Sequence, residues 1–192
     1  DSQWNTQNMK MTNFINLISI FRILLAPVIL ISLIFWNYLT CVLLFFFASF
    51  TDYIDGYLAR KYNAESQLGE ILDPIADKIL VIFILLGLSV EFNSNLVAFM
   101  SSFIFAREIV VAALRDYSAR NNLSHRTKVT FLAKIKTSIQ LFTIGTYLIA
   151  LLINFKLLII FGDILLIIST LITIFTGYQY IYNVFKKWKF QW

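Results

Sequence analysis

Long apolar runs separated by short polar connections are the dominant pattern of this sequence. A helix needs about 20 mostly apolar residues to cross a hydrocarbon core about 30 Å thick, and runs of that length recur along the whole chain. They predict six transmembrane helices, at 14–36, 39–61, 68–91, 95–118, 134–154 and 157–185. The expected fold class is therefore all-α, in a polytopic membrane protein with a single membrane domain at 11–192.

The composition leaves no room for a separate soluble domain. Hydrophobic residues make up 59% of the 192 residues and charged residues only 14%, whereas about 25% charged residues are usual in a soluble domain. The polar residues 1–10 stand apart from this pattern and lack the apolar core of a signal peptide. We expect them to be a tail or an expression remnant, with natural initiation near Met9 or Met11.

Basic residues lie in every second connection between the predicted helices. They are Lys10, Arg60, Lys61, the basic residues from Arg115 to Lys136, and Lys186, Lys187 and Lys189. The opposite connections offer only Lys156 and the acidic Glu91. Because lysine and arginine are retained on the cytoplasmic side of a membrane, both termini are predicted to be cytoplasmic.

Four aspartates, Asp52, Asp55, Asp73 and Asp77, lie within 26 residues of this apolar sequence. A charged side chain at the centre of a membrane helix costs about 2.5 to 3.5 kcal/mol, so a cluster of them needs a function. Residues three or four apart share a helical face. The first two aspartates lie on the second predicted helix and the last two on the third, and the short connection between these helices predicts that they are antiparallel neighbours. The four carboxylates are expected to converge, and their oxygens suit Mg²⁺, Mn²⁺ or Ca²⁺.

Small residues accompany the aspartates. Gly56, Ala59 and Gly69 would leave room for a flat or extended ligand beside the carboxylates. Arg60, at the end of the same helix, has a planar donor fork that suits a phosphate oxygen. The alternative is a structural role, in which the acids pair with basic residues and Gly56 serves helix packing. The candidate basic partners are Arg22, Lys78 and Arg107.

A second cluster is basic and lies near the cytoplasmic halves of the fourth and fifth helices. It consists of Arg107, Arg115, Lys134 and Lys136. Arg107 and Arg115 are eight residues apart and share a face, whereas Lys134 and Lys136 cannot both point inward on a regular helix. These cations predict a site for a dianionic phosphate, although Arg115 and Lys134 could also serve only to orient the chain in the membrane.

The acidic segment reads Asp-x2-Asp-Gly-x2-Ala-Arg-x8-Gly-x3-Asp-x3-Asp, and it resembles the signature of the CDP-alcohol phosphotransferase family without a gap. The resemblance implies a homodimeric membrane enzyme with two divalent metal ions, Mg²⁺ or Mn²⁺, in each active site. Such an enzyme transfers a substituted phosphate group from a CDP-linked donor to an alcohol and releases CMP. The active site would face the cytoplasm.

The resemblance also implies a role for each matching residue. Asp52, Asp55 and Asp73 would hold the metal pair, and Asp77 would be both a ligand and the general base for the acceptor hydroxyl. The residues implied in CDP binding are Asn16, Ser19, Gly56, Ala59, Arg60, Ser66 and Gly69.

Four segments resemble one branch of that family, which makes phosphatidylglycerophosphate in bacteria. They are Asn16 to Arg22, Asp73 to Lys78, Ala106 to Glu108 and Lys134 to Thr137, with Ala133 where the branch commonly has glycine. The branch implies CDP-diacylglycerol as donor, sn-glycerol 3-phosphate as acceptor on the basic cluster, and the bacterial cytoplasmic membrane as location.

Three alternatives remain open from the sequence. The acceptor could be inositol phosphate, serine or phosphatidylglycerol. An intramembrane prenyltransferase also uses aspartates with Mg²⁺ and diphosphate, but its aspartate pairs usually lie on well-separated helices of a larger bundle. A divalent-cation transporter could use the aspartates for permeation, but it has little use for Arg60 and the basic cluster.

Overall fold

The computed structural model describes the backbone of residues 2–62, 67–120 and 131–188. In these ranges the chain forms six α-helices and no β-strand. The helices are α1 (Ser2–Ile34), α2 (Tyr38–Tyr62), α3 (Gln67–Glu91), α4 (Asn95–Arg120), α5 (Phe131–Ile153) and α6 (Lys156–Trp188). The all-α prediction is confirmed.

The observed helix ends lie within three residues of the predicted ends, with one exception. That exception is the start of α1, which begins at Ser2 rather than near residue 14. The polar residues 2–10 contain neither proline nor glycine to interrupt a helix. The backbone therefore continues the apolar helix through the segment that we expected to be a separate tail.

Five of the six described helices are long and apolar enough to span a membrane, as expected of a polytopic membrane protein. The exception is α3. It is equally long, but its apolar sequence is interrupted by Asp73, Asp77 and Lys78. The helix that least resembles a membrane span is thus the one that carries the second pair of aspartates.

Helix α1 lies between α2 and α3. It packs extensively against α3 and also against α2, whereas α2 and α3 make no comparable contact in the described part of the chain. The expectation that α2 and α3 are direct neighbours is therefore wrong, because α1 lies between them. The remaining helices complete the bundle through the pairs α5 with α6, α4 with α6, α3 with α4, and α2 with α5.

The hydrophobic core lies between these helices. It includes Ile29 and Leu33 of α1, Ile84 and Leu88 of α3, and Leu148 of α5, all fully or almost fully buried. Cys41 is buried in the same core, which agrees with its expected role as a small hydrophobic side chain.

Tight turns connect α1 to α2, α3 to α4 and α5 to α6, all at one end of the bundle. Each turn contains a residue with positive φ: Trp36 at 57°, Asn93 at 45° and Asn154 at 53°. Such left-handed residues end a helix and allow the chain to reverse within a few residues. Because the helices alternate in direction, the aspartates and the basic cluster lie together toward the opposite end.

Near the tight turns, a partly buried hydrogen bond joins α5 to α6. The Tyr147 hydroxyl donates to Asp163 Oδ1 at 2.6 Å. Gly162 makes this contact possible, since a Cβ atom there would lie 2.6 Å from Tyr147 Cε1. Asp163, an intramembrane acid that the sequence analysis did not single out, thus has a structural partner.

Candidate active site

Arg22 of α1 brings together aspartates from two helices. Its Nη1 atom donates to Asp52 Oδ1 and, at 2.6 Å, to Asp77 Oδ1. Its Nη2 atom donates to Asp55 Oδ2 at 2.7 Å. Because α1 lies between α2 and α3, one guanidinium group reaches the carboxylates of both.

Asp73 has a different partner. The Ser19 hydroxyl donates to Asp73 Oδ1 at 2.5 Å. Ser19 and Arg22 are three residues apart, so they lie on the same face of α1. This face therefore contacts all four aspartates. For three of the four aspartates, this is the pairing with Arg22 that the structural alternative in the sequence predicted.

The cluster is open toward one side. Arg22 is 1% exposed and Asp55 3%, but the side chains of Asp52 and Asp77 are 42% and 44% exposed. The inner part of the cluster is thus buried, and its outer part is accessible to a ligand.

The charges of the cluster do not balance. The cluster contains four carboxylates and one guanidinium, which leaves an excess of three negative charges when all are ionised. Such an excess is costly at an interior site unless further positive charge is bound. The oxygen-only donor set suits Mg²⁺ or Mn²⁺, so the residues fit the predicted metal ions.

The oxygens do not form a metal-ligand cluster as they are placed. Among the described residues, no group of three or more His, Cys, Asp or Glu side chains has a metal-binding arrangement. The reason is visible in the contacts, because three of the four aspartates are turned onto Arg22.

The residues predicted to bind CDP surround this cluster incompletely. Ser19 is fully buried with its hydroxyl on Asp73, so it positions that carboxylate. Asn16 and Gly56 are partly buried, and Gly69 is buried. The side chains of Ala59 and Arg60, at the end of α2, and the whole of Ser66 lie outside the described residues. Their roles in CDP binding remain predictions.

A cavity of about 300 Å³ connects the aspartates to the basic cluster. It lies between α3, α4 and α5. Asp73, Asp77 and Lys78 line one side, and Arg107, Glu108, Arg115, Lys136 and Gln140 are among the residues of the other. The prediction that Arg107 and Arg115 share a face is confirmed by their common position in this wall.

Glu108 joins two cations of the cavity. Its Oε1 atom accepts hydrogen bonds from Lys136 Nζ and, at 3.2 Å, from Arg107 Nη1. Helix α5 carries two lysines, Lys134 and Lys136. The side chain of Lys136 is only 6% exposed, so it points inward. The side chain of Lys134 lies outside the described residues.

Arg107 is held from the other side by α6. Its Nε atom donates to the Thr173 carbonyl oxygen at 3.2 Å, and its Nη2 atom donates to Thr176 Oγ1 at 3.0 Å. Gly177 allows this close approach, since a Cβ atom there would lie 2.8 Å from Arg107 Cγ. Helix α6 therefore fixes the direction in which the Arg107 guanidinium points.

Sequence reasoning missed several of these residues. Thr173, Thr176 and Gly177 appear in the sequence as ordinary members of an apolar span, and only their small size on one helical face could have drawn attention to them. Gln140 lies one turn after Lys136 and is 6% exposed; its amide nitrogen has no hydrogen-bond partner among the described residues. A glutamine in an apolar span was the available signal.

A protein-family model matches most of this chain. Residues 12–175 match the model of the CDP-alcohol phosphatidyltransferase family. This match covers α1 through most of α6 and includes all four aspartates and the basic cluster.

The chain is also similar to curated bacterial proteins named CDP-diacylglycerol–glycerol-3-phosphate 3-phosphatidyltransferase. It is 36% identical to the protein of Blochmanniella floridana over 87% of this chain and 88% of the relative. It is 37% identical to that of Rickettsia felis over 92% and 97%, respectively. It is 38% identical to that of Rickettsia typhi over 88% and 96%. The similarity thus extends over nearly the full length of these relatives.

Proposed function

The chain belongs to the CDP-alcohol phosphatidyltransferase family, and we propose that it catalyses the reaction for which its relatives are named. In this reaction the phosphatidyl group passes from CDP-diacylglycerol to sn-glycerol 3-phosphate, which gives phosphatidylglycerophosphate and CMP. The function is that of a membrane enzyme of phosphatidylglycerol and cardiolipin synthesis.

The single observation that carries the proposal is the shared cavity. Asp73 and Asp77 line one wall, and Arg107, Arg115 and Lys136 line another. A small phosphorylated alcohol can therefore place its phosphate on the cations while its free hydroxyl faces the aspartates. A divalent-cation transporter does not require a phosphate site next to the carboxylates.

The basic wall suits a dianionic phosphate. Arg107 and Arg115 present planar donor forks, which match phosphate oxygens, and Lys136 adds a third positive charge. Glu108 neutralises part of this charge and holds Arg107 and Lys136 in place. The phosphate of glycerol 3-phosphate would then compete with Glu108 for their hydrogen bonds.

Asp77 is the proposed general base. It lines the cavity and has a partly exposed side chain, so it can reach the acceptor hydroxyl. As Asp77 takes the hydroxyl proton, the hydroxyl oxygen forms a bond to the phosphatidyl phosphorus. The bond from that phosphorus to the CMP phosphate breaks, and CMP leaves. A positioned carboxylate base contributes about 10² to 10⁴ in rate.

Asp52, Asp55, Asp73 and Asp77 are the proposed ligands of two divalent ions, Mg²⁺ or Mn²⁺. When bound, these ions would neutralise the donor diphosphate and stabilise the leaving CMP. The support from this structure is the excess of carboxylate charge at the cluster and its all-oxygen donor set. Arg60 and the small residues Gly56, Ala59 and Gly69 are the proposed contacts for CDP.

Location and assembly form a further part of the proposal. The basic residues collect at the end of the bundle that carries the site, so the site would face the cytoplasm from the bacterial inner membrane. The family resemblance supports a homodimer, which chemical cross-linking of the purified protein in lipid would test.

An acceptor screen tests the function. Purified protein with CDP-diacylglycerol and Mg²⁺ or Mn²⁺ is offered glycerol 3-phosphate, inositol phosphate, serine or phosphatidylglycerol, and CMP release is measured. We expect turnover with glycerol 3-phosphate and its loss on adding a chelator. Turnover with only another acceptor would refute this choice of substrate. Metal flux into vesicles without CMP release would favour a transporter instead.

A further inference from the structure

We propose that Arg22 is an internal counter-cation that holds the aspartates together in the metal-free protein and competes with divalent ions for them. This inference rests on the metal site of the proposed function and adds a positioning residue to it. Arg22 would keep the site assembled before the metal arrives and would lower the affinity for the metal that replaces it.

The contacts of Arg22 place its charge where a bound cation is needed. Its two terminal nitrogens reach one carboxylate oxygen each of Asp52, Asp55 and Asp77. These aspartates come from α2 and α3, which do not pack closely on each other in the described part of the chain. Without the guanidinium, nothing among these contacts would balance the repulsion between the two helices' carboxylates.

The burial of Arg22 makes its charge effective. The side chain is 1% exposed, so little water screens its attraction to the aspartates. Lysine could not serve in the same way, because its single ammonium group cannot span three carboxylates as a planar fork can. The geometry therefore depends on arginine and not only on a positive charge.

Arg22 is also incompletely satisfied. Its buried Nε atom has no hydrogen-bond partner among the described residues. A buried donor without a partner carries a desolvation cost. The hydrogen bonds that the guanidinium donates among the described residues all go to carboxylates. When those oxygens turn toward a metal ion, Arg22 loses the contacts that fix its position.

Competition follows from charge and from shared ligands. A divalent ion at this cluster needs the same oxygens that Arg22 engages, and it is repelled by the guanidinium a few ångströms away. Removing the positive charge of Arg22 should therefore have opposite effects on two measurable quantities. It should lower the stability of the metal-free protein and raise its affinity for the metal ion.

The test compares Arg22→Met and Arg22→Lys with the unaltered full-length protein in lipid nanodiscs. Mn²⁺ binding is followed by the loss of the electron paramagnetic resonance signal of free Mn²⁺. Thermal unfolding is measured with a chelator and with saturating Mn²⁺. We expect Arg22→Met to lower the Kd for Mn²⁺ about tenfold or more, and to lower the unfolding temperature more in chelator than in Mn²⁺. For Arg22→Lys, both the Kd and the unfolding temperatures should lie between those of Arg22→Met and those of the unaltered protein.

Tyr147→Phe is the matched control, because it also removes a partly buried hydrogen bond to an aspartate, but at the far end of the bundle. It should lower the unfolding temperature equally in both conditions and leave Mn²⁺ binding unchanged. If Arg22→Met behaves in the same way, or binds Mn²⁺ more weakly, Arg22 is merely structural and the inference is overturned. Should Arg22→Met fold only in Mn²⁺, the inference is supported; failure to fold in either condition overturns it.

The outcome can be separated from the fate of the proposed function. If neither protein binds Mn²⁺, both the inference and the metal site are overturned. If the unaltered protein binds Mn²⁺ and converts glycerol 3-phosphate while Arg22→Met gains no affinity, only the inference fails. Mn²⁺ binding is read without turnover, so a wrong acceptor does not affect it.

Discussion

Glu108 and Lys136 form a largely buried ion pair between α4 and α5, in the wall of the cavity that Asp77 also lines. Breaking a buried pair leaves an uncompensated charge and costs about 3 to 5 kcal/mol. We therefore expect Glu108→Ala to destabilise the protein by about this amount, because it leaves both Lys136 and Arg107 without their carboxylate partner. The free energy of unfolding in a denaturant titration measures the effect.

A surface pair provides the control for this prediction. Arg120 and Asp116 are 2.9 Å apart on α4 but are 76% and 62% exposed. Asp116→Ala should change the free energy of unfolding by about 1 kcal/mol or less, since water screens exposed pairs. Equal losses for Glu108→Ala and Asp116→Ala would contradict the assigned burial of the Glu108 pair.

Arg107→Ala should chiefly raise the KM for glycerol 3-phosphate. A hydrogen bond to a charged group contributes about 1.5 to 3 kcal/mol, which corresponds to a change of roughly ten- to a hundredfold. Steady-state kinetics at saturating CDP-diacylglycerol would measure it. Arg120→Ala removes the same side chain from an exposed position of the same helix and should leave the KM unchanged. An unaltered KM for Arg107→Ala would place the phosphate site elsewhere.

Two glycine substitutions should have different consequences. In Gly177→Ala the new Cβ atom would lie 2.8 Å from Arg107 Cγ, so the arginine must move and the KM for glycerol 3-phosphate should rise. In Gly162→Ala the new atom would lie 2.6 Å from the Tyr147 ring, away from the cavity. Overpacking of this kind costs about 1 to 3 kcal/mol. We expect Gly162→Ala to lower the unfolding temperature without changing the KM. A reversed pattern would show that α6 does not position Arg107.

Asp77→Asn should reduce kcat by about 10² to 10⁴, the contribution of a positioned general base. The fold should persist, because Arg22 keeps its contacts with Asp52 and Asp55. Turnover and the thermal unfolding temperature are measured together, with Asp116→Asn as the exposed control. Activity close to that of the unaltered protein would remove Asp77 from the role of base.

The helices could be predicted from the sequence because their signal is local. Apolar runs and polar connections determine where a span begins and ends, and eleven of twelve predicted ends lie within three residues of the observed ones. The start of α1 differed because polarity alone does not end a helix when no breaker is present. Charge likewise did not prevent α3 from forming, since its aspartates and Lys78 face a site.

The partners of the aspartates could be predicted only in part. The spacing of Asp52 and Asp55 placed them on one face, and the basic residues named as alternative partners included Arg22. The place of α1 between α2 and α3 could not be inferred, because a short connection suggests neighbours but does not require contact. The clamp on Arg107 by Thr173 and Thr176 depends on residues far away in sequence, for which apolar periodicity contains no information.

Helix α3 is the only described helix that contributes to both the aspartate cluster and the cavity wall through consecutive residues, Asp77 and Lys78. Successive side chains on a helix point about 100° apart, so the two substrates would meet across the width of one helix. A transmembrane helix tilts to match the thickness of its bilayer. Because both residues belong to α3, a tilt of this helix would move the aspartate cluster and the cavity wall together.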